Sequence, residues 1–245
     1  MSAAALRALH VPGKPLVLAN VWDADTAKLV EAAGFPAVAT SSVAVAAALG
    51  FADGEAAPAG EMFAAAARIA KAVDVPVTVD AESGYGLSGA ELAARLRDAG
   101  AAGCNFEDTD HATGQVRPVA EQAERIAALR AAAGDGLVIN ARIDSFRGAE
   151  TKEALEAGID RAKAYYDAGA DCVYPIHLRT PELIAEFVQG AGGAVNAAAW
   201  PGSPGLDGLA ALGVARISLG GGLWHYVRKQ FETAVAGVAE GKLPY

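Results

Sequence analysis

Cysteine is scarce in this chain: Cys104 and Cys172 are the only two among its 245 residues. Two cysteines permit one disulfide at most, so a disulfide framework cannot be the main source of stability. Both stand inside apolar, strand-like segments, where an unpaired thiol behaves as a small buried hydrophobe. The pattern indicates reduced thiols in the core of a cytoplasmic protein.

The chain also lacks long apolar runs and an excess of basic residues. No run reaches the roughly 20 apolar residues of a transmembrane helix, and the N-terminal MSAAALRALHVPGK has no apolar centre of a secretory signal. Twenty Lys and Arg against 29 Asp and Glu leave a net charge of −9, which disfavours nucleic acid as a partner. We therefore expect no membrane span, no export and no nucleic-acid binding. A small anionic substrate stays open, because a metal ion and one or two arginines can dominate a pocket.

The chain alternates between apolar, strand-like runs and alanine-rich helical segments. The helical segments 25–34, 89–100, 119–134 and 153–170 carry apolar residues at three- and four-residue spacing and end near glycine. The predicted strands are 16–22, 37–42, 75–82, 103–108, 137–144, 172–177, 194–200 and 216–221.

Such alternation predicts a parallel sheet covered by helices. Eight units in about 250 residues favour a single (β/α)₈ barrel domain over residues 1–245, with its active site at the C-terminal ends of the strands. A doubly wound open sheet is the alternative. The first strand is not followed by G-x-G-x-x-G, so a dinucleotide-binding sheet has little support.

The most informative segment is PVTVDAESGYG, at 76–86, where an apolar run ends in Asp80 and Glu82. Two residues apart in extended chain, these side chains point the same way and repel each other unless a cation lies between them. Mg²⁺, bound through few carboxylates, water and substrate oxygens, is the economical partner. Mn²⁺ is a chemically similar substitute, and the absence of a Cys–His cluster argues against zinc.

Other polar residues stand at the predicted strand ends. Capping explains Asp23, Asp108, Ser41 and Ser42 without any function, and an ion pair with Arg142 would satisfy Glu107, which would otherwise be costly to bury. The set comprises Asn20, Trp22, Asp23, Thr40, Ser41, Ser42, Asn105, Glu107, Asp108, Asn140, Arg142, Asp144, His177 and Asn196.

Together these residues suggest chemistry on a small, oxygen-rich anion such as a 2-oxo acid. A metal held by Asp80, Glu82 and Glu107 would act as a Lewis acid on the substrate. Arg142 would hold a carboxylate or stabilise developing negative charge. The reaction that follows is cleavage or formation of a bond beside a carbonyl, through an enolate.

The chain resembles the isocitrate lyase/phosphoenolpyruvate mutase superfamily over almost its whole length. The matching pieces, in the family's order, are NVWDADTAKLVEAAGFPAVATSS, ALGFADGE, VDAESGYG, NFEDTD, VINARID and LAALGVARISLGGG. The resemblance implies a (β/α)₈ barrel with a Mg²⁺-dependent lyase or phosphonomutase type of activity on an α-oxo acid. It also implies a homo-oligomer, a dimer or tetramer in which a C-terminal helix is exchanged between copies.

Carried over by position, the resemblance assigns roles to individual residues. Asp80 is similar to the principal metal-site aspartate, with Glu82 and Glu107 completing the acidic shell mainly through water. Ser41 and Ser42 match the segment that holds the substrate carboxylate, Arg142 the arginine near the reacting group, and Asp53 the loop aspartate of mutase-like members. The remaining substrate-binding candidates are Trp22, Asn105, His177 and Asn196.

The segment after the predicted fourth strand differs from its counterpart in the family, and this difference narrows the range of possible reactions. Isocitrate and methylisocitrate lyases carry a K-K-C-G-H type motif after the acids of the fourth strand, and phosphoenolpyruvate mutases carry a longer loop there with Lys and Asn. Here the segment reads EDTDHATGQVRPV, without Cys or Lys, and His111 is its candidate proton donor. Phosphonopyruvate and oxaloacetate are therefore close rivals as substrates. A methylisocitrate lyase and a non-catalytic metabolite-binding protein are the alternatives.

Overall fold

The computed structural model describes residues 2–148 and 150–245, and eight parallel strand positions form its centre. The first position is one strand interrupted at Ala19, so it counts as β1 and β2. The barrel strands are β1 (Leu16–Leu18), β2 (Asn20–Val21), β3 (Val38–Thr40), β4 (Val77–Asp80), β5 (Gly103–Glu107), β8 (Val138–Ile143), β9 (Cys172–Pro175), β10 (Asn196–Ala198) and β11 (Arg216–Ser218).

These strands close on themselves. One sheet has the strand order β2-β3-β4-β5-β8-β9, and a second sheet places β11 between β1 and β10. A single bridge between Val173 and Val195 joins the two sheets next to β9 and β10. The predicted (β/α)₈ barrel is thus confirmed, and all its strand pairs are parallel.

Helices follow the strands and cover the outside of the barrel. Asp23 caps the helix after the first strand by accepting a hydrogen bond from the Thr26 N–H at 2.8 Å, so its structural explanation is confirmed. The helices are α1 (Ala3–Ala8), α2 (Ala24–Ala32), α3 (Ser42–Leu49), α4 (Ala59–Lys71), α5 (Gly89–Asp98), α6 (Val119–Ala133), α7 (Lys152–Asp167), α8 (Pro181–Ala191), α9 (Leu206–Ala211) and α10 (Gly222–Ala239).

The main apolar core lies between the barrel and its helices, and α1 closes the N-terminal end of the barrel. Leu6 of α1 packs with Leu16, Leu18 and Val138 in a separate buried cluster. Because that end is filled by apolar side chains, the polar strand ends are left at the opposite rim.

Two segments depart from the regular pattern. After β5, the chain makes a short antiparallel hairpin of β6 (Thr109–Asp110) and β7 (Gln115–Val116). At the C-terminus, α10 has no buried residue along its 18 residues. None of the described helices is both long enough and apolar enough to cross a membrane.

Candidate active site

A cavity of about 200 Å³ opens at the C-terminal ends of the strands. Seven of the residues predicted for the site line it: Ser41, Ser42, Asp53, Asp80, Asn105, Arg142 and His177. They come from six separate segments of the chain, which meet because parallel strands of a barrel end at one rim.

Asp80, the last residue of β4, has neutral hydrogen-bond partners. Its Oδ2 accepts the backbone N–H of Ser42 at 3.1 Å, and its Oδ1 lies 3.4 Å from the Asn105 Nδ2. Its own N–H donates to the Thr40 hydroxyl at 2.8 Å. The carboxylate thus borders the cavity and forms no ion pair with Lys or Arg among the described residues.

Glu82 lies behind the cavity wall in a network with Tyr85 and Glu55. The Tyr85 hydroxyl donates to Glu82 Oε1 at 2.6 Å, and the Glu55 N–H donates to Oε2 at 2.7 Å. The Tyr85 N–H donates in turn to Glu55 Oε1 at 2.5 Å. Burial raises the pKa of Glu82 to about 7 against the effect of the Tyr85 hydrogen bond, and the nearby Asp80 and Asp53 raise it further.

All three residues of this network have left-handed backbone: φ is +60° at Glu55, +47° at Glu82 and +56° at Tyr85. Such conformations cost a non-glycine residue of order 1 kcal/mol or more and persist where the surroundings impose them. The network ties the loop that carries Asp53 to the strand end that carries Asp80.

Glu107, the last residue of β5, is buried between the Arg142 guanidinium and the His111 imidazole. Its Oε2 pairs with Arg142 Nη1 at 2.5 Å and its Oε1 with His111 Nε2 at 2.7 Å. Burial raises the pKa of Glu107 despite the opposing charge of Arg142, and the hydrogen bond to Glu107 raises that of His111. The ion pair considered for Glu107 and Arg142 is therefore formed.

Arg142 is held from two sides while it lines the cavity. Besides Glu107, its Nε donates to Asp144 Oδ1 at 2.6 Å and its Nη2 to Oδ2 at 3.0 Å. Burial alone would lower the pKa of Arg142, but the Glu107 and Asp144 carboxylates raise it overall. The guanidinium is thus a fixed, permanent cation.

Two helix N-termini point toward the cavity. Ser41 is the N-cap of α3, and neither Ser41 nor Ser42 makes a side-chain cap hydrogen bond there. Gly220 and Gly221, at the start of α10, line the opposite side. Unsatisfied N–H groups and the helix dipole make such positions favourable for a carboxylate or phosphonate.

Five predicted site residues are not brought to the cavity wall. Glu82, Glu107 and His111 lie behind it, held by the contacts described above. Trp22 packs edge-on against Trp224, with ring centroids 5.1 Å apart, and Asn196 is buried and donates to the Ser218 hydroxyl at 3.1 Å. His111 packs near Gly54 in the Asp53 loop, so it supports that loop from behind.

The cavity has lining residues that the sequence reasoning missed. Arg147 is three residues beyond the predicted strand end at Asp144, and Tyr174 and Ser218 lie within predicted strands rather than at their ends. Trp200 stacks on His177, with ring centroids 5.9 Å apart and planes 9° apart. The period-two alternation of β9 could have identified Tyr174 as pointing into the barrel.

Within residues 2–148 and 150–245, no three His, Cys, Asp or Glu side chains are arranged so that they could directly surround one metal ion. The physical reason is that Glu82 and Glu107 have protein partners of their own. Asp80 alone of the three predicted metal residues lines the cavity.

The family model described as phosphoenolpyruvate phosphomutase matches residues 6–239. The chain belongs to this family. The expected membership of the phosphoenolpyruvate mutase/isocitrate lyase superfamily is thereby confirmed.

Two relatives from this superfamily are named as enzymes. The chain is 34% identical to the phosphoenolpyruvate phosphomutase of Streptomyces hygroscopicus over 245 aligned residues, covering 91% of this chain and 74% of the relative. It is 32% identical to the 2-methylisocitrate lyase of Bacillus subtilis, covering 74% of this chain and 59% of the relative.

Among solved structures, a presumed phosphonomutase of Burkholderia cenocepacia matches with a TM-score of 0.92 and 44% identity, covering 96% of this chain and 99% of that one. The phosphoenolpyruvate phosphomutase of Streptomyces platensis subsp. rosaceus matches with a TM-score of 0.84 and 26% identity, covering 99% and 89%.

Proposed function

We propose that this protein is a Mg²⁺-dependent enzyme that cleaves or rearranges the P–C or C–C bond next to the carbonyl of a small α-oxo acid. Phosphonopyruvate is the substrate we favour and oxaloacetate its close rival. The observation that carries the proposal is the meeting of Asp80, Arg142 and Asp53 in one cavity of about 200 Å³. A cavity of that volume suits a small α-oxo acid such as phosphonopyruvate or oxaloacetate.

The donor set fits a largely hydrated Mg²⁺. This ion commonly keeps several waters and binds through one or two carboxylates plus substrate oxygens. Asp80 offers a carboxylate with neutral hydrogen-bond partners only, while Glu82 and Glu107 would act through water. When bound, the metal would supply Lewis-acid polarisation of the substrate oxygens.

The protein's own groups would bind and orient the anion. Backbone N–H groups at the starts of α3 and α10 would donate hydrogen bonds to the substrate carboxylate, with the hydroxyls of Ser41 and Ser42 beside it. Arg142 would stabilise the negative charge that develops as the bond breaks and its electron pair becomes an enolate. Because Glu107 and Asp144 already hold the Arg142 guanidinium in place, it would not have to move as that charge develops.

The two remaining roles concern Asp53 and the proton donor. Asp53 lines the cavity from the loop held by Glu55 and Tyr85, and it would position the transferring group. His111 is in contact with Glu107 rather than with the cavity, so it would act through Glu107 and not on the substrate directly.

A methylisocitrate lyase is the less favoured function. That reaction needs an acidic cysteine, and the hairpin after β5 contains none. Cys104 is fully buried in the barrel wall, and burial raises the pKa of its thiol to about 12. Neither property suits a thiol that must donate a proton to a substrate.

The test is a substrate panel of phosphonopyruvate, phosphoenolpyruvate, oxaloacetate, 2-methylisocitrate and 2,3-dimethylmalate, assayed with Mg²⁺ and with EDTA. We expect turnover of phosphonopyruvate or oxaloacetate that EDTA abolishes, and none of methylisocitrate. Asp53→Ala should lower kcat/KM at least about 100-fold. Turnover that persists in EDTA, or ligand binding without any turnover, would overturn the proposal.

A further inference from the structure

A completely buried arginine lies inside the barrel beneath the cavity. Arg216 of β11 has no exposed surface, and its hydrogen bonds go to neutral groups, Asn105 Oδ1 and the Ser218 hydroxyl. In the described part of the chain, no carboxylate forms an ion pair with it and its Nη1 has no hydrogen-bond partner. Buried charges are normally paired, because desolvating an unpaired ion is costly. A lone cation at this depth calls for an explanation.

The guanidinium determines how the Asn105 amide is oriented. Arg216 Nη2 lies 3.0 Å from Asn105 Oδ1, and Asn140 Nδ2 lies 2.8 Å from the same oxygen. A guanidinium can only donate hydrogen bonds, so the amide oxygen of Asn105 must face it. The Asn140 amide cannot impose this choice, because its own oxygen and nitrogen can exchange places by a flip.

The fixed amide then faces Asp80. With its oxygen turned to Arg216, Asn105 presents Nδ2 toward Asp80 Oδ1 at 3.4 Å. The flipped amide would bring an oxygen against the carboxylate, which is repulsive. The chain of contacts therefore runs from Arg216 through Asn105 to the carboxylate at the cavity.

We propose that Arg216 is a positioning residue, which holds the Asp80 carboxylate in its metal-binding orientation through the Asn105 amide. The inference rests on the proposed function in one respect, the assignment of Asp80 as the direct metal ligand. Residues that orient a ligand commonly change metal affinity 10- to 100-fold when they are replaced.

Mn²⁺ titration followed by electron paramagnetic resonance tests the inference without any substrate. Arg216→Lys is the central variant, because it keeps the positive charge and loses the fixed planar fork. Asn105→Ala removes the relay, and the double variant completes a cycle. Cys172→Ala, a fully buried neighbour of the same barrel interior, is the matched control, and Asp80→Asn tests the ligand itself.

We expect Arg216→Lys and Asn105→Ala each to raise the Kd for Mn²⁺ about tenfold, and the second substitution to add less than twofold to the first. Cys172→Ala should bind as the parent does. If Arg216→Lys binds Mn²⁺ normally, or if the two effects multiply independently, Arg216 does not act through Asn105 and the inference fails. Should Arg216→Lys not fold, an unchanged Kd in Asn105→Ala would overturn it equally. Failure of the proposed function gives a different result: the parent does not bind Mn²⁺, or Asp80→Asn binds it equally well.

Discussion

Tyr85 and Glu82 are joined by a hydrogen bond of 2.6 Å from the phenol hydroxyl to Oε1, and both residues have left-handed backbone. Glu55 completes the network: its N–H donates to Glu82 and its carboxylate accepts the Tyr85 N–H. These hydrogen bonds stabilise backbone conformations that each residue alone disfavours. The Asp53 loop depends on this network for its place beside the cavity.

Removing the phenol hydroxyl should loosen that loop. We expect Tyr85→Phe to lower the free energy of unfolding by about 1–3 kcal/mol, because a buried carboxylate loses a hydrogen bond, and to speed proteolysis within residues 50–57. Urea denaturation measures the first effect, and mass-spectrometric mapping of Glu-C cuts after Glu55 measures the second. Tyr245→Phe, at a residue 98% exposed, is the control, and equal cutting in both variants would contradict the prediction.

Arg142 should not be replaceable by lysine. It contacts Glu107 and both oxygens of Asp144, and an ammonium cannot reproduce this fork. We expect Arg142→Lys to reduce kcat/KM on the active member of the substrate panel by about 100- to 1,000-fold. Arg228→Lys, on the exposed face of α10, should change nothing. Circular dichroism melts of both variants exclude unfolding as the cause, and a loss below tenfold would count against the role of Arg142.

Asp108 is a structural acid rather than a catalytic one. It is fully buried, where its Oδ2 accepts the Tyr165 hydroxyl at 2.8 Å and lies 3.2 Å from Arg161 Nη1. Arg161→Met would leave a buried carboxylate without its cation, at a cost of about 3–5 kcal/mol in unfolding free energy. Lys163→Met on the same helix should cost less than about 0.5 kcal/mol. Similar urea midpoints for the two variants would show that the pair is not important for stability.

His10 should make stability depend on pH. Its Nδ1 lies 2.9 Å from the Leu6 carbonyl oxygen, while burial, aided by the charge of Arg216, lowers its pKa from 6.5 to about 4. Between pH 6.5 and pH 4, His10 therefore binds a proton in the unfolded chain but stays largely neutral in the folded chain. The contribution of neutral His10 to the free energy of unfolding is fully present above pH 6.5. It is lost as the pH falls to 4, which lowers the free energy of unfolding by up to about 3 kcal/mol.

Urea unfolding of the parent and of His10→Asn at pH 7 and pH 4.5 measures this contribution. Carboxylates titrate in the same range in both proteins, so the difference between their pH dependences isolates His10. His225→Asn, at an exposed position on α10, is the control. A parent and a His10→Asn variant with parallel pH dependences would refute the assignment.

The C-terminal helix should be covered by a second copy of the chain. No residue of α10 is buried, and Phe231, Val235 and Val238 are 68%, 50% and 52% exposed. We expect light scattering to give a multiple of the 24.7 kDa chain mass, and Phe231→Glu to shift the population toward monomer. Lys229→Glu on the same helix should not. A parent protein of monomer mass would contradict the expected oligomer.

The strands and the rim of the barrel could be predicted because their signals are local. Apolar runs ending in Asp80 or Arg142 mark the C-terminal ends of strands whatever the details of packing, and a barrel gathers those ends at one rim. The Asp23 cap is equally local, since its partner is three residues away.

What the sequence could not indicate depends on distant contacts. The left-handed backbone at Glu55 and Tyr85 has no sequence signature, because it is imposed by a network between residues about 30 apart. Glu82, Glu107 and His111 have site-like patterns, yet their partners hold them behind the wall. Arg216 stands in a run, ARISLGG, that is typical of an ordinary strand, and only the three-dimensional structure shows its contact with Asn105.

The single bridge between Val173 and Val195 makes one side of the barrel different from the rest. Elsewhere in the described chain, each neighbouring pair of strands shares at least two paired positions. His177 and Trp200 follow the two strands that flank the bridge, and their stacked rings span the gap. Separating the barrel strands at this position would therefore break fewer paired positions than separating any other neighbouring pair of described strands.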